Sequence, residues 1–235
     1  SPELSPALIE GLRSSGCNVV CLGMVPTPLV YYATYTKAAT SGVMITGSHN
    51  PPEYNGFKIM IAGDTLSGDR IQELYQRIKN NDFNTGHGTS TKVDIEQDYI
   101  DRIKSDIKLD KSLNIVVDAG NGVAGNIAPK LFEQLGVNVA KLFCLVDGSF
   151  PNHHPDPSKP ENLIDIIQEV KDTGADMGFA FDGDGDRLGL IDNKGNVIWA
   201  DRQMILYSRD ILERNKGAKI VFDVKCSSLL PKDIS

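Results

Sequence analysis

Residues 114–145 read NIVVDAGNGVAGNIAPKLFEQLGVNVAKLFCL, and this stretch decides the fold. Asn114–Ala119 is a short, β-branched apolar run, the length of a buried strand and too short for a core helix. Gly120, Gly122 and Gly125 then break it. Ile127–Leu135 has helical spacing, and Val137–Leu145 returns as a second strand. Strand, glycine-rich loop, helix, strand is the alternation from which α/β layers are built.

The alternation extends outward from this unit. Upstream, Ser5–Arg13 reads as a short helix with Ser5 as its N-cap and Pro6 at the first helical position. Asn18–Gly23 follows as a strand, Pro28–Ala39 as a helix, and Val43–Ile45 and Phe57–Ile61 as strands. Ser67–Lys79 is amphipathic, with Ile71, Leu74, Tyr75 and Ile78 on one face. Asn80–Thr91 is polar, glycine-rich and almost free of aliphatic residues, which marks it as a linker; Tyr99–Ile107 is a further helix. Downstream come a proline-rich loop over Asp147–Pro160, a helix over Glu161–Lys171 and a strand over Met177–Phe181. LGLID and VIWAD flank Asn193-Lys194-Gly195-Asn196 as a hairpin. A helix over Arg202–Asn215 and a strand-like run over Lys219–Val224 begin a third unit. The expected fold is α/β: consecutive αβ domains with mixed sheets flanked by helices, dividing at 1–93, 94–197 and 198–235. The first residue is Ser1 rather than Met, and the chain stops just after a strand-like run, so truncation at both ends is expected.

The bulk composition narrows the partners. With 235 residues, 40% of them hydrophobic and 23% charged, the chain can bury ordinary cores. A net charge of −7 argues against nucleic acid or an anionic membrane as the main partner. No apolar run approaches the roughly 18 residues that span a bilayer, and no secretory signal opens the sequence. Cys17, Cys21, Cys144 and Cys226 are scattered; the C-x3-C spacing of the first two matches no common zinc pattern. A reducing, cytoplasmic setting is expected.

The densest chemistry lies in FDGDGDR. Asp182, Asp184 and Asp186 alternate with glycines at the end of an apolar strand. Two carboxylates about 4 Å apart repel by roughly 4 kcal/mol at an effective dielectric near 20, so three converging ones call for a cation or for protons. Oxygen-only ligands suit a hard cation, Mg²⁺ above all where phosphate completes the shell. An EF-hand is excluded, because its sixth position requires Gly and is Arg187 here, and its twelfth requires Glu and is Asn193. Arg187 is either a grip for phosphate or an internal partner of the aspartates.

Other motifs compete. Gly120–Gly125 matches G-x-G-x-x-G, with Asp147 where a ribose-binding acid would stand, although strand–helix turns need such glycines for packing in any case. His153 and His154 could bind metal, but the prolines around them favour an extended, hydrogen-bonded loop. The stretch SGVMITGSHNPPEYNGFKIM, residues 41–60, sets Ser48 on a bend where a buried strand ends. Asn50 precedes Pro51 and must be extended, so the chain turns there, with Pro51 and Pro52 as a brace. Ser48 and His49 are neighbours whose side chains diverge, and no G-x-S-x-G elbow is present, so a hydrolytic dyad is a poor fit. A phosphorylated Ser48 fits better, adding an oxygen to the cation that the three aspartates hold.

TGSHNPPEYNGFK together with DGDGDR resembles the α-D-phosphohexomutases, and DAGNGVAG and FPNHHPDPSKPENL are similar to their bacterial phosphomannomutase/phosphoglucomutase branch. The resemblance covers essentially the whole chain. It implies an isomerase that interconverts hexose 1-phosphate and hexose 6-phosphate, mannose and/or glucose, through a hexose 1,6-bisphosphate intermediate. It implies Ser48 as the phosphoserine, and Mg²⁺ held by Asp182, Asp184, Asp186 and the Ser48 phosphate. It further implies Arg187 near the phosphate, Lys58 as general acid/base or charge stabiliser, and His49 as a shaper of the serine loop. Hexose phosphates are then the partners. The family's sugar-recognition loop and fourth domain have no counterpart in this sequence, so the chain alone is expected to be nearly inactive as a mutase. An aspartyl-phosphate phosphatase using Asp182, and a nucleotide- or sugar-phosphate-binding module built on GNGVAG, are the alternatives.

Overall fold

The computed structural model describes residues 3–37, 39–51 and 53–234. Its elements run α1 (Leu4–Ser14), β1 (Val19–Cys21), α2 (Thr27–Thr36), β2 (Gly42–Ile45), β3 (Phe57–Ile61), β4 (Asp64–Thr65), α3 (Asp69–Lys79) and β5 (Ser90–Lys92). They continue with α4 (Glu96–Asp106), β6 (Asn114–Asp118), α5 (Ala128–Gln134), β7 (Asn138–Leu142), α6 (Ile164–Thr173), β8 (Met177–Phe181), β9 (Leu188–Asp192), β10 (Val197–Ile198), α7 (Ala200–Arg214) and α8 (Leu229–Asp233). Short 3₁₀ turns over Val123–Asn126 and Pro160–Leu163 lead towards α5 and α6.

The second unit is a five-stranded mixed sheet in the order β10-β9-β8-β6-β7. β6 pairs parallel with β7 and β8, while β8–β9 and β9–β10 are antiparallel. The two-residue alternation of β6 loads both faces. Val116 packs with Leu163, Ile166 and Val170 under α6, whereas Ile115 and Val117 pack with Ala128 and Phe132 of α5 and with Val137. Helices on both sides of a buried sheet give the expected α/β layers.

The first unit holds a three-stranded antiparallel sheet, β2-β3-β4, and a parallel pair, β1-β5. A third cluster joins the two units: Leu29 and Ala33 of α2 pack with Ile95, Ile100 and Ile127.

Three expectations change. Residues 80–91 are no free linker. Gly86 N–H and Gly88 N–H donate to Ser14 and Arg13 carbonyls (2.7 and 2.8 Å), and the chain then pairs as β5 with β1. A Cβ on Gly88 would lie 1.9 Å from the Cys17 carbonyl oxygen, so this glycine serves close backbone packing. Ser5 lies inside α1 instead of capping it. Lys219–Val224 forms no strand: among the described residues nothing pairs with it, and Val221 and Val224 stand 89% and 97% exposed.

Candidate functional site: an acidic loop meeting a serine loop

β8 and β9 are antiparallel neighbours, so residues 182–187 form the tip of their hairpin. Asp182 closes this loop: its Oδ1 accepts the backbone N–H groups of Asp186 and Arg187 at 2.9 and 3.0 Å. Gly185, at φ +71°, makes the left-handed turn that lets alternate carboxylates converge. Asp182, Asp184 and Asp186 each offer an oxygen within 4.8 Å of the others; the first two are buried and the third is exposed.

β2 and β3 are also antiparallel and present the second loop, residues 46–56. Thr46 N–H donates to Gly56 C=O at 2.9 Å and closes its base. Ser48 adopts φ +53°, uncommon for a residue with a side chain, and its N–H is held by Thr46 Oγ1 at 2.7 Å. Asn50 N–H donates to Gly47 C=O, so the chain turns here as expected; Pro52 lies outside the described residues.

The two loops meet. Ser48 Oγ donates to Asp182 Oδ2 at 3.0 Å, across 134 residues of sequence. Arg187 Nε donates to the same Asp182 oxygen at 3.0 Å, Nη1 to Asp156 Oδ1 at 3.2 Å, and Nη2 reaches Ser48 Oγ at 3.4 Å. Arg187 Nη2 also contacts His49 Nδ1, which lies 3.2 Å from Ser48 Oγ, so these neighbouring side chains converge instead of diverging as expected. Lys58, on β3, donates to Asp184 Oδ2 at 2.6 Å and Asp186 Oδ2 at 2.5 Å. Ser48, His49, Lys58, Asp182, Asp184, Asp186 and Arg187, the site residues that the resemblance implies, therefore belong to one cluster.

Its electrostatics are divided. Burial would raise the Asp184 carboxyl, but hydrogen bonds from Lys58 and Thr27 prevail and hold it below its usual range. Burial pushes Asp182 up against the backbone N–H bonds it accepts, and the negative charge of Asp184 adds to the rise. Burial would lower Lys58, yet its bonds to Asp184 and Asp186 raise it, so it stays an ammonium.

The donor set fits a hard divalent cation. Asp182, Asp184, Asp186 and Asp156 stand against Lys58 and Arg187, which leaves two negative charges uncompensated. Asp184 Oδ1 is buried with no hydrogen-bond partner, and an orphaned carboxylate oxygen is costly unless a cation meets it.

GNGVAG is filled by protein. Val123 N–H donates to Gly183 C=O, and Cβ atoms on Gly122 and Gly125 would lie 2.8 Å from the Gly183 oxygen and 2.2 Å from the Cys144 oxygen. The glycines serve backbone packing, and Asp147 is engaged by Ser149. His153 bonds buried Asp118 (Nε2 to Oδ2, 2.9 Å) and the His154 carbonyl, the hydrogen-bonded loop expected of this segment.

Sequence reasoning misses three contributors. Thr27 donates to Asp184, Asp156 accepts from Arg187, and Thr46 fixes Ser48. Thr46 and Asp156 lie within TGSHNPPEYNGFK and FPNHHPDPSKPENL, but neither stretch assigns them a role, and PTP around Thr27 signals only a turn.

The model of phosphoglucomutase/phosphomannomutase alpha/beta/alpha domain I matches residues 1–85, and that of alpha/beta/alpha domain II matches residues 97–195. The phosphomannomutase/phosphoglucomutase of Pseudomonas putida is 56% identical over 229 residues, which are 97% of this chain and 50% of the relative. The phosphoglucomutase of Neisseria gonorrhoeae is 52% identical over 231 residues, again 97% of this chain and 50% of the relative. The crystal structure of a phosphoglucomutase/phosphomannomutase family protein from Burkholderia thailandensis is 49% identical, with a TM-score of 0.96 over 99% of this chain and 53% of that one. The chain thus spans about half the length of the relatives it matches.

Proposed function

Because the chain belongs to the phosphoglucomutase/phosphomannomutase family, we propose that it carries the phosphoryl-transfer half of a hexose-phosphate mutase, an isomerase acting on mannose and/or glucose phosphates. The contact of Ser48 Oγ with Asp182, beside Arg187 and Lys58, carries this reading. Residues 1–93 supply the serine loop, 94–197 the acidic loop, and 198–235 begin a third domain. The proposed setting is the cytoplasm; among the described residues no helix is long and apolar enough to cross a membrane.

Phosphoryl transfer needs in-line positioning and charge neutralisation more than covalent chemistry. Phosphorylated Ser48 gives its phosphoryl group to the free hydroxyl of a hexose monophosphate. The Oγ–P bond breaks as the sugar O–P bond forms, leaving hexose 1,6-bisphosphate, and the proton lost by the sugar hydroxyl is regained at Ser48 Oγ. The bisphosphate turns over and its other phosphate returns to Ser48. Lys58, kept protonated by Asp184 and Asp186, acts as a charge stabiliser rather than a base. Arg187, aimed at Ser48 Oγ, orients the transferring group, and His49 shapes the loop. Asp182, Asp184, Asp186 and a Ser48 phosphate oxygen would hold Mg²⁺, which when bound neutralises charge on the transferring phosphate. Asp182 is fully buried with both oxygens hydrogen-bonded, which speaks against an aspartyl-phosphate.

The test is peptide mass spectrometry after incubation with Mg²⁺ and glucose 1,6-bisphosphate. The expected result is one phosphoryl group on the Ser48 peptide and none in Ser48→Ala. Phosphate on Asp182 would overturn the assignment.

A further inference from the structure

Thr27 is the first residue of α2 and lies at 0% exposure, yet it belongs to the unit opposite the acidic loop. Its hydroxyl donates to Asp184 Oδ2 at 2.7 Å, and its backbone N–H donates to the Asp184 carbonyl at 2.9 Å. The preceding Pro26 touches the loop as well: a Cβ on Gly185 would meet the Pro26 ring at 3.1 Å. Two residues later Leu29 enters the core shared by the two units. The acidic loop is therefore gripped, at side chain and backbone, by a helix anchored in the joint.

This grip decides which Asp184 oxygen is free. Oδ2 is occupied by Thr27 and Lys58, while Oδ1 is buried and has no partner. A carboxylate with one oxygen pinned has its torsion fixed, so the other oxygen keeps one direction, the arrangement that pre-organises a ligand. We propose that Thr27 is a positioning residue: it pins Asp184 Oδ2 so that Oδ1 is presented as the cation ligand, and it thereby couples the joint between the two units to cation occupancy.

The proposal rests on the reading of the aspartate cluster as a divalent-cation site, and the experiment separates the two. Mn²⁺ and Mg²⁺ affinities are measured by calorimetric titration on the 235-residue chain and on Thr27→Val and Thr27→Ser, with thermal unfolding recorded with and without cation. Thr27→Val keeps the shape and removes the hydroxyl. It is expected to weaken binding by roughly tenfold to a hundredfold, the usual effect of losing a partner that orients a metal ligand. Thr27→Ser retains the donor and is expected to restore most of the affinity, a rescue that a purely space-filling role does not produce. The rise in unfolding temperature on adding cation shrinks in Thr27→Val and returns in Thr27→Ser. If Thr27→Val does not fold, Thr27→Ala, which only removes atoms, carries the same comparison. Equal affinity in Thr27→Val and the parent overturns the positioning role and leaves the cation site standing. No cation binding by the parent overturns both.

Discussion

Gly183 is the residue on which the two loops turn. A Cβ there would lie 2.2 Å from the Ser48 carbonyl oxygen, a backbone atom that cannot swing aside. Gly183→Ala must separate the serine loop from the acidic loop. We expect it to cost about 1–3 kcal/mol, the scale of forced overpacking, measured as a lower denaturant midpoint with unchanged m. It should also abolish phosphorylation of Ser48, and an alanine variant with parental stability and phosphorylation would contradict this contact. The chemistry-bearing residues were legible because their types are improbable in bulk: three aspartates in five residues need a stated reason to coexist. Thr27 and Asp156 were not, because a threonine or aspartate next to proline is ordinary turn composition. Their meaning comes from packing, across 157 residues for Thr27–Asp184 and 31 for Asp156–Arg187.

At the scale of elements, the proline-rich segment 147–160 acts as a strap over the acidic loop. Pro155 lies against both Gly120 and Gly183, Asp156 takes Arg187, and His153 ties the strap to buried Asp118 at the end of β6. Burial would lower the His153 imidazole, but the bond and charge of Asp118, with Asp165 adding, raise it above the ordinary 6.5. Because the folded value is raised, the pair's stabilisation is fully present below 6.5 and is lost as pH rises through the folded value. The chain should therefore lose stability between about pH 6 and about pH 8, and His153→Gln should flatten that dependence. Denaturant midpoints at the two pH values provide the check, and an equal pH slope in both proteins would exclude the pair as its source. Residues 80–91 show where element-level reading stops. Polar, glycine-rich composition signals flexibility when nothing is known of neighbours, but Gly88 is there because the Cys17 carbonyl leaves no room for a side chain. The central strands were legible because a short, β-branched or aromatic apolar run ahead of a glycine-rich turn is intrinsic to β6 and β8. Lys219–Val224 has the same composition, but a strand also requires a ladder partner.

Across the whole molecule, the site exists only where two αβ units are held together. Ser48 and Lys58 come from one unit, and the three aspartates and Arg187 from the other. What fixes their relative position is the shared core of Leu29, Ala33, Ile95, Ile100 and Ile127, reinforced by the Thr27 grip. Two units joined by apolar packing of this kind unfold as one, since opening the joint exposes buried faces of both. Calorimetry on residues 1–197 is expected to give a single transition. Leu29, at 1% exposure, is the sharpest probe of it. Leu29→Ala should cost about 2–5 kcal/mol and lower the midpoint of the whole transition, because the cavity opens in the joint and in neither sheet. A saturating divalent cation should raise that midpoint in the parent, adding about 2.7 kcal/mol of stability at a hundred times Kd, since only the assembled pair presents all the ligands. Two separate endotherms, with Leu29→Ala shifting just one, would mean that the units fold independently and that the loops meet without being held.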